Sequence, residues 1–234
     1  MQEIETDLLV IGAGSGGLSV AAGAVQMGAR VVLLEGHRMG GDCLNYGCVP
    51  SKALLAAGKA ARFHHRANGY GVHYAAPDVP FDEVHAHVHN VIARIAPNDS
   101  QERFEALGVR VLRGQAAFTG PRELQVAGTR VKAKRFVLAT GSTAAIPPIP
   151  GLDATPYLTN ETVFDLTERP EHLIVIGGGP IGTELGQAFA HLGSRVSIVE
   201  MSRLLPASDA QAADLLRARL KTEGVGVYET AQVT

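Results

Sequence analysis

Glu5-Thr6-Asp7-Leu8-Leu9-Val10-Ile11-Gly12-Ala13-Gly14-Ser15-Gly16-Gly17-Leu18-Ser19-Val20 is an apolar run, a cluster of glycines and a second apolar run. Glu5 to Ile11 reads as a short buried parallel strand, Gly12 to Gly17 as a turn, and Leu18 to Met27 as a helix ending at Gly28. Arg30 to Leu34 forms the next strand, closed by Glu35. This places G-x-G-x-x-G between a strand and a helix, with an acid at the end of the following strand. The glycines let a pyrophosphate approach the helix N-terminus, and the acid can accept hydrogen bonds from ribose hydroxyls. A lone glycine motif carries little weight, whereas the full strand, loop, helix and acid specify a Rossmann-like unit.

No charged residue lies between Asp7 and Arg30, a length that could span a bilayer. Gly12, Gly14, Gly16 and Gly17 nevertheless break the segment into strand, loop and helix, so no membrane partner is expected.

The pattern recurs. Leu173 to Ile176 is a strand, Gly177-Gly178-Gly179-Pro180-Ile181-Gly182 a second G-x-G-x-x-G, Ile181 to Leu192 a helix, and Arg195 to Val199 a strand ending in Glu200. From Gly17 to Glu35 and from Gly182 to Glu200 the spacing is the same, eighteen residues. Two dinucleotide sites are implied. Glu200 can hold a free 2′-hydroxyl and would repel a 2′-phosphate, which with Gly182 favours NAD over NADP; Arg203 nearby pulls the other way. Val225 to Tyr228 reads as the third strand of this second unit.

Both cysteines fall in Gly40-Gly41-Asp42-Cys43-Leu44-Asn45-Tyr46-Gly47-Cys48-Val49-Pro50-Ser51-Lys52. Pro50 suits the first turn of a helix that Ala53 to Ala57 can continue, so Cys48 would sit just outside its N-terminus, where the positive end favours a thiolate. A stapling disulfide is the bland reading, but so short a loop gains only about 2 kcal/mol on closure. Zinc needs four ligands, and this segment offers two cysteines with no histidine nearby. A redox pair is the stronger reading.

The segment Gly-Gly-x-Cys-x-Asn-x-Gly-Cys-x-Pro-Ser-Lys resembles the active site of the flavin-dependent pyridine nucleotide-disulfide oxidoreductases, the group of dihydrolipoyl dehydrogenase, glutathione reductase and mercuric reductase. Asp42 departs from it, where many members carry Thr. The resemblance implies that the first cofactor is FAD and that Cys48 faces the flavin while Cys43 meets substrate. Lys52 and Glu184 resemble the ion pair beside the flavin ring. The flavin contacts it implies are Gly12, Gly14, Ser15, Gly16, Gly17, Glu35, Gly36, Gly41, Asp42, Lys52, Ala116 and the returning segment Ala139-Thr140-Gly141. Those to the nicotinamide dinucleotide are Gly177, Gly179, Pro180, Ile181, Gly182 and Glu200. NADH would reduce the flavin, the flavin the disulfide, and the dithiol an outside disulfide, with the lipoamide direction running in reverse.

The expected fold is α/β: two Rossmann-like, three-layer ββα dinucleotide-binding domains, the second incomplete, with a small β-meander. Residues 1–147 are expected to bind FAD and carry the redox pair, and residues 148–234 to be the first half of an NAD(P)-binding domain. The stiff connector Ile146-Pro147-Pro148-Ile149-Pro150-Gly151 separates them. Ser51 to about Arg66 reads as one helix, and Phe81 to Leu107 as helix broken near Pro97-Asn98-Asp99. The texture from Val109 is that of a meander: Val109 to Leu112, Gln115 to Phe118, Glu123 to Val126 and Arg130 to Leu138. His85, His87 and His89 read as a solvated helix face, as do His64 and His65.

With 234 residues, 46% apolar and 19% charged, the chain has the composition of a soluble globular protein, and its net charge of −2 gives no case for nucleic acid. Two cysteines and no cleavable signal fit a reducing cytoplasm. The resemblance covers only about the first half of such a family member, so a homodimer is expected of the full-length protein. The histidine and glutamate acid-base pair is expected in a later domain, and this segment alone is expected to be inactive. Mercuric reductase-like chemistry on Hg(II) and a truncated, non-catalytic nucleotide-binding module are the alternatives.

Overall fold

The computed structural model describes residues 2–234. Its elements run β1 (Gln2–Ile11), α1 (Ser15–Gln26), β2 (Val31–Glu35), α2 (Gly41–Asn45), α3 (Cys48–Ala61), α4 (Phe63–Asn68), α5 (Phe81–Ile95), α6 (Gln101–Ala106) and β3 (Arg110–Arg113). They continue as β4 (Ala116–Gly120), β5 (Glu123–Val126), β6 (Thr129–Leu138), β7 (His172–Ile176), α7 (Pro180–His191), β8 (Arg195–Val199), α8 (Ala210–Thr222) and β9 (Gly226–Tyr228). Two compact units form, Met1–Val49 with Val91–Ala144 and Pro50–Asn90 with Ala145–Thr234.

The first unit is built on a six-stranded sheet of order β3-β2-β1-β6-β5-β4. β3, β2, β1 and β6 are parallel, with Val10 opposite Leu33 and Leu33 opposite Val111. Because side chains alternate across a strand, neighbouring apolar residues feed two cores. Val10, Val31, Leu33 and Val111 pack with Leu18 and Ala21 of α1 and Phe104 of α6. Leu9, Val32 and Leu34 pack with Leu124, Val126 and Val131. All of β2 is buried, which is why it reads as a continuous apolar run.

Two expectations are corrected here. The meander comprises only β4, β5 and β6, which are antiparallel. β3 instead adds in parallel to β2, because Val109 and Val111 are buried in the same core as Phe104 and Leu33. The expected long helix from Ser51 to Arg66 is two helices that part at Arg62, and the first begins at Cys48 itself.

The second unit holds the parallel sheet β7-β8-β9, with Val175 opposite Ile198 and Ile198 opposite Val227. α7 packs on it through Leu185, Ala188 and Phe189. Residues 50–90 join this unit by close contact with α7. A Cβ on Gly58 would lie 3.0 Å from the Ala188 carbonyl oxygen, and the Phe81 ring stacks on Phe189 at 5.9 Å.

Candidate functional site

The first glycine loop is closed by backbone on both sides. A Cβ on Gly17 would lie 1.8 Å from the Gly12 carbonyl oxygen, and one on Gly12 would lie 2.2 Å from that of Ala139. Neither position accepts a side chain, so the turn from β1 into α1 stays tight and the segment after β6 abuts it. Ala139 N also donates to Ile11 O at 2.8 Å, which brings Thr140 and Gly141 to the same strand ends. At Gly16 an added Cβ would meet nothing within 4 Å. Internal packing therefore does not demand that glycine, and no side chain caps the start of α1 beside it. Gly41 lies against Gly14 from the other side, bridged through Gly40.

Glu35 is 8% exposed, and its carboxylate accepts from Ala13 N at 2.7 Å and His37 N at 2.6 Å. It thus holds the glycine loop while each oxygen keeps a lone pair for a further donor. The turn after β3 covers this corner. Arg113 donates to the His37 carbonyl, and the Gln115 amide, beside Ala116, lies against Gly36. His37, Arg113 and Gln115 carry no motif signal, so sequence reading misses them.

The second loop reproduces the first. Gly182 would place a Cβ 2.2 Å from the Gly177 carbonyl oxygen, and Gly179, like Gly16, faces open space. Glu200 accepts from Gly178 N at 2.7 Å and from Ser202 N at 2.9 Å. These amides hold its carboxyl below the usual carboxylate range. Pro180 opens α7 and Ile181, 61% exposed, follows it. Arg203 donates to the carbonyls of Pro206 at 3.1 Å and Ser208 at 2.9 Å, so its guanidinium is partly engaged by its own loop.

The cysteines are brought together by a tight turn. Asn45 Nδ2 donates to the carbonyls of Met39 at 3.0 Å and Gly41 at 2.8 Å, which fixes the short helix α2. A Cβ on Gly47 would lie 2.7 Å from Asp42 Oδ2 and 3.3 Å from the Cys43 Cα, so a side chain there would displace the Asp42 carboxylate and crowd the backbone where α3 starts beside α2. Cys43 is half-buried and Cys48 exposed. Burial, reinforced by a hydrogen bond to Cys48, pushes the Cys43 thiol up to about 11. Cys48 opens α3, and Cys43, so raised, keeps its proton at neutral pH.

Lys52, one turn further along α3, places Nζ 2.7 Å from Glu184 Oε2 of α7. Their side chains are 62% and 42% exposed. Exposed pairs add only about 0–1 kcal/mol, so this one is weakly justified as a stability device. The expectation for the histidines is amended at one position: His89 Nε2 donates to the Phe164 carbonyl at 3.1 Å, anchoring α5, and its ring lies 4.2 Å from that of His85. No helix among the described residues is long and apolar enough to cross a membrane.

Comparison with known proteins matches residues 6–234 to the family described as Pyridine nucleotide-disulphide oxidoreductase. A mercuric reductase of Lysinibacillus sphaericus is 33% identical over 232 residues, covering 99% of this chain and 42% of the relative. A dihydrolipoyl dehydrogenase of Thermus scotoductus is 39% identical over 229 residues, covering 94% and 48%. The HOCl-induced flavoprotein disulfide reductase RclA from Escherichia coli superposes with a TM-score of 0.81 at 29% identity, over 97% of this chain and 49% of that one. The chain spans about half the length of the relatives it matches or less.

Proposed function

The chain belongs to the pyridine nucleotide-disulphide oxidoreductase family, and on that premise we propose that it passes electrons between NADH and a disulfide or dithiol substrate through FAD and a Cys43–Cys48 disulfide, as a dihydrolipoyl dehydrogenase does. The carrying observation is the hydrogen-bonded thiol pair, one thiol in the first turn of α3 and the other protonated beside it. In this reading residues 1–147 hold FAD on the Gly12–Gly17 loop and residues 148–234 hold NAD on the Gly177–Gly182 loop. The cradles fit such groups: each has backbone contacts that exclude a Cβ on one side and an open glycine beside a helix start on the other. Bound FAD would supply the two-electron relay between nicotinamide and sulfur.

The remaining chemistry falls to side chains. Cys43, once its proton is removed, attacks one sulfur of the outside disulfide and expels the other as a thiolate. Cys48 then attacks the Cys43 sulfur and expels the second. The two protons lost by the cysteines end on the two departing thiols, and the pair is left as a disulfide, oxidised by two electrons. Lys52 and Glu184 would set charge beside the flavin ring. Glu200, already oriented by Gly178 and Ser202, would accept from the 2′-hydroxyl of NAD. The intact protein is proposed to act as a homodimer.

The test is anaerobic turnover of the intact protein with NADH or NADPH against lipoamide and Hg(II), with thiol counting before and after NADH. Expected are lipoamide reduction with a lower KM for NADH, two thiols revealed by NADH, and no lipoamide turnover in Cys43→Ser or Cys48→Ser. Turnover of lipoamide in either variant would end the redox-pair reading. Turnover of Hg(II) alone would move the protein to the mercuric reductase relatives' chemistry.

A further inference from the structure

Within the second unit, the start of α4 and the end of α8 enclose a pocket of ≈ 240 Å³ lined by Arg62, His65, Arg66, Arg219, Thr222 and Glu223. On each helix three lining residues are spaced i, i+3, i+4, so each trio shares one face. None of its lining residues belongs to either glycine loop or to the cysteine pair.

The charges in the pocket do not cancel. Three guanidinium groups face one carboxylate, and that carboxylate is already occupied. Glu223, its side chain 2% exposed, accepts from Arg219 Nε at 2.6 Å on one oxygen. Its other oxygen accepts from Gln187 Nε2 and His191 Nε2, each at 2.8 Å. Arg62 reaches the same carboxylate only at 3.8 Å, and its Nη1 meets the Glu223 carbonyl at 3.5 Å. Arg66 is exposed and has no ion pair or hydrogen bond from its side chain among the described residues. Desolvation first, and then the neighbouring charges of His64 and Arg62, push His65 below its usual range. The volume lies below the about 300–1,000 Å³ of pockets that take drug-sized ligands.

We infer that this pocket binds the phosphate of a small phosphomonoester, held by Arg62 and Arg66 with the free donors of Arg219. Planar guanidinium forks match phosphate oxygens two at a time. A dianion would satisfy the charge that Glu223 leaves over, and a carboxylate only half of it. His65 completes the site by taking up a proton when the anion enters.

The experiment follows His65 by ¹H–¹³C NMR across pH in the intact protein, without and with inorganic phosphate or glycerol phosphate, and with acetate as the monoanion. The expected result is a rise in the His65 midpoint with either phosphate and saturable binding weakened about tenfold in Arg66→Gln. Glycerol phosphate binding more tightly than inorganic phosphate supports the ester; the reverse order overturns that part in favour of the free ion. Arg66→Gln should fold normally, because the Arg66 side chain makes no hydrogen bond or ion pair among the described residues. No phosphate-dependent shift, equal binding of acetate, or unchanged affinity in Arg66→Gln would overturn the inference and leave the arginines as a tie between α4 and α8.

Discussion

The reluctance of the Cys43 thiol to ionise can be tested without any cofactor chemistry. Cys43 is pushed up to about 11 from an ordinary 9.0, first by burial and then by its hydrogen bond to Cys48. At pH 7.5 that rise lowers its thiolate fraction about a hundredfold. The greater nucleophilicity of a more basic thiolate returns roughly six- to tenfold of that, leaving Cys43 about tenfold slower than an unperturbed thiol. The assay reduces the intact protein, removes the reductant, labels briefly with sub-stoichiometric isotope-coded iodoacetamide, and compares the two cysteine peptides by mass spectrometry with glutathione as internal reference. Cys48 should carry nearly all the label. In Cys48→Ala, Cys43 loses a hydrogen-bond partner but keeps its burial, so its labelling should quicken severalfold and still lag glutathione. Cys43 labelling as fast as glutathione, or slowing in Cys48→Ala, would refute the argument.

Gly17→Ala drives a Cβ into the Gly12 carbonyl, where only backbone can give way; a loss of roughly 1–3 kcal/mol in urea unfolding and of FAD retention on gel filtration is expected. Lys52→Ala should lower stability in urea unfolding by less than about 1 kcal/mol, since the pair with Glu184 is exposed, while under the proposed function the lipoamide turnover of the intact protein falls steeply. Glu200 is held below its usual range by the Ser202 and Gly178 amides, and Glu223 by Gln187, His191 and Arg219 against an opposing effect of burial. Depressed carboxyls stabilise above their unfolded value of roughly 4.3 and lose that stability as pH falls through the folded one. Thermal midpoints should thus drop below about pH 4.5, and Glu200→Gln should flatten that limb.

What could be read in the sequence is what local chemistry alone determines. The spacing from Gly12 to Gly17 and on to Glu35 marked a strand, a tight turn, a helix and a second strand, because the contact that excludes a side chain at Gly17 is with Gly12, five residues away, whereas the closure of Gly12 by Ala139 is long-range and could not be read. β3 was placed wrongly for the opposite reason. Arg110 to Arg113 has the texture of the strands after it, and its partner depends on where α6 delivers the chain and on Val109 and Val111 reaching the core of Phe104. The break at Arg62 was equally invisible, since a non-local carboxylate, Glu223, meets the residue at which the helix parts. Gln115 and Arg113 escaped notice because they act through long-range contacts with Gly36 and His37.

The two glycine loops share more than their motif. Gly12 and Gly177, Gly17 and Gly182, and Glu35 and Glu200 are each 165 positions apart, with no insertion between. At the same offset, Gly40 N donates to Ala13 O and Leu205 N donates to Gly178 O, both at 2.9 Å. This bond comes with a left-handed residue in each unit, Gly40 at φ 83° and Leu205 at φ 51°. Glycine adopts that region freely, but leucine does so at a cost of about 1–2 kcal/mol. Nothing in the sequence around Leu205 marks a left-handed turn. The strain is explained by the loop geometry: the segment after each acid returns to clamp the second residue of its glycine loop, while the glutamate clamps the same residue's amide. Leu204, fully buried beside Gly178, anchors the turn and opposes its relaxation. The second loop is thus held in the first loop's shape even where its residues would choose another, as expected if both support the same kind of pyrophosphate contact.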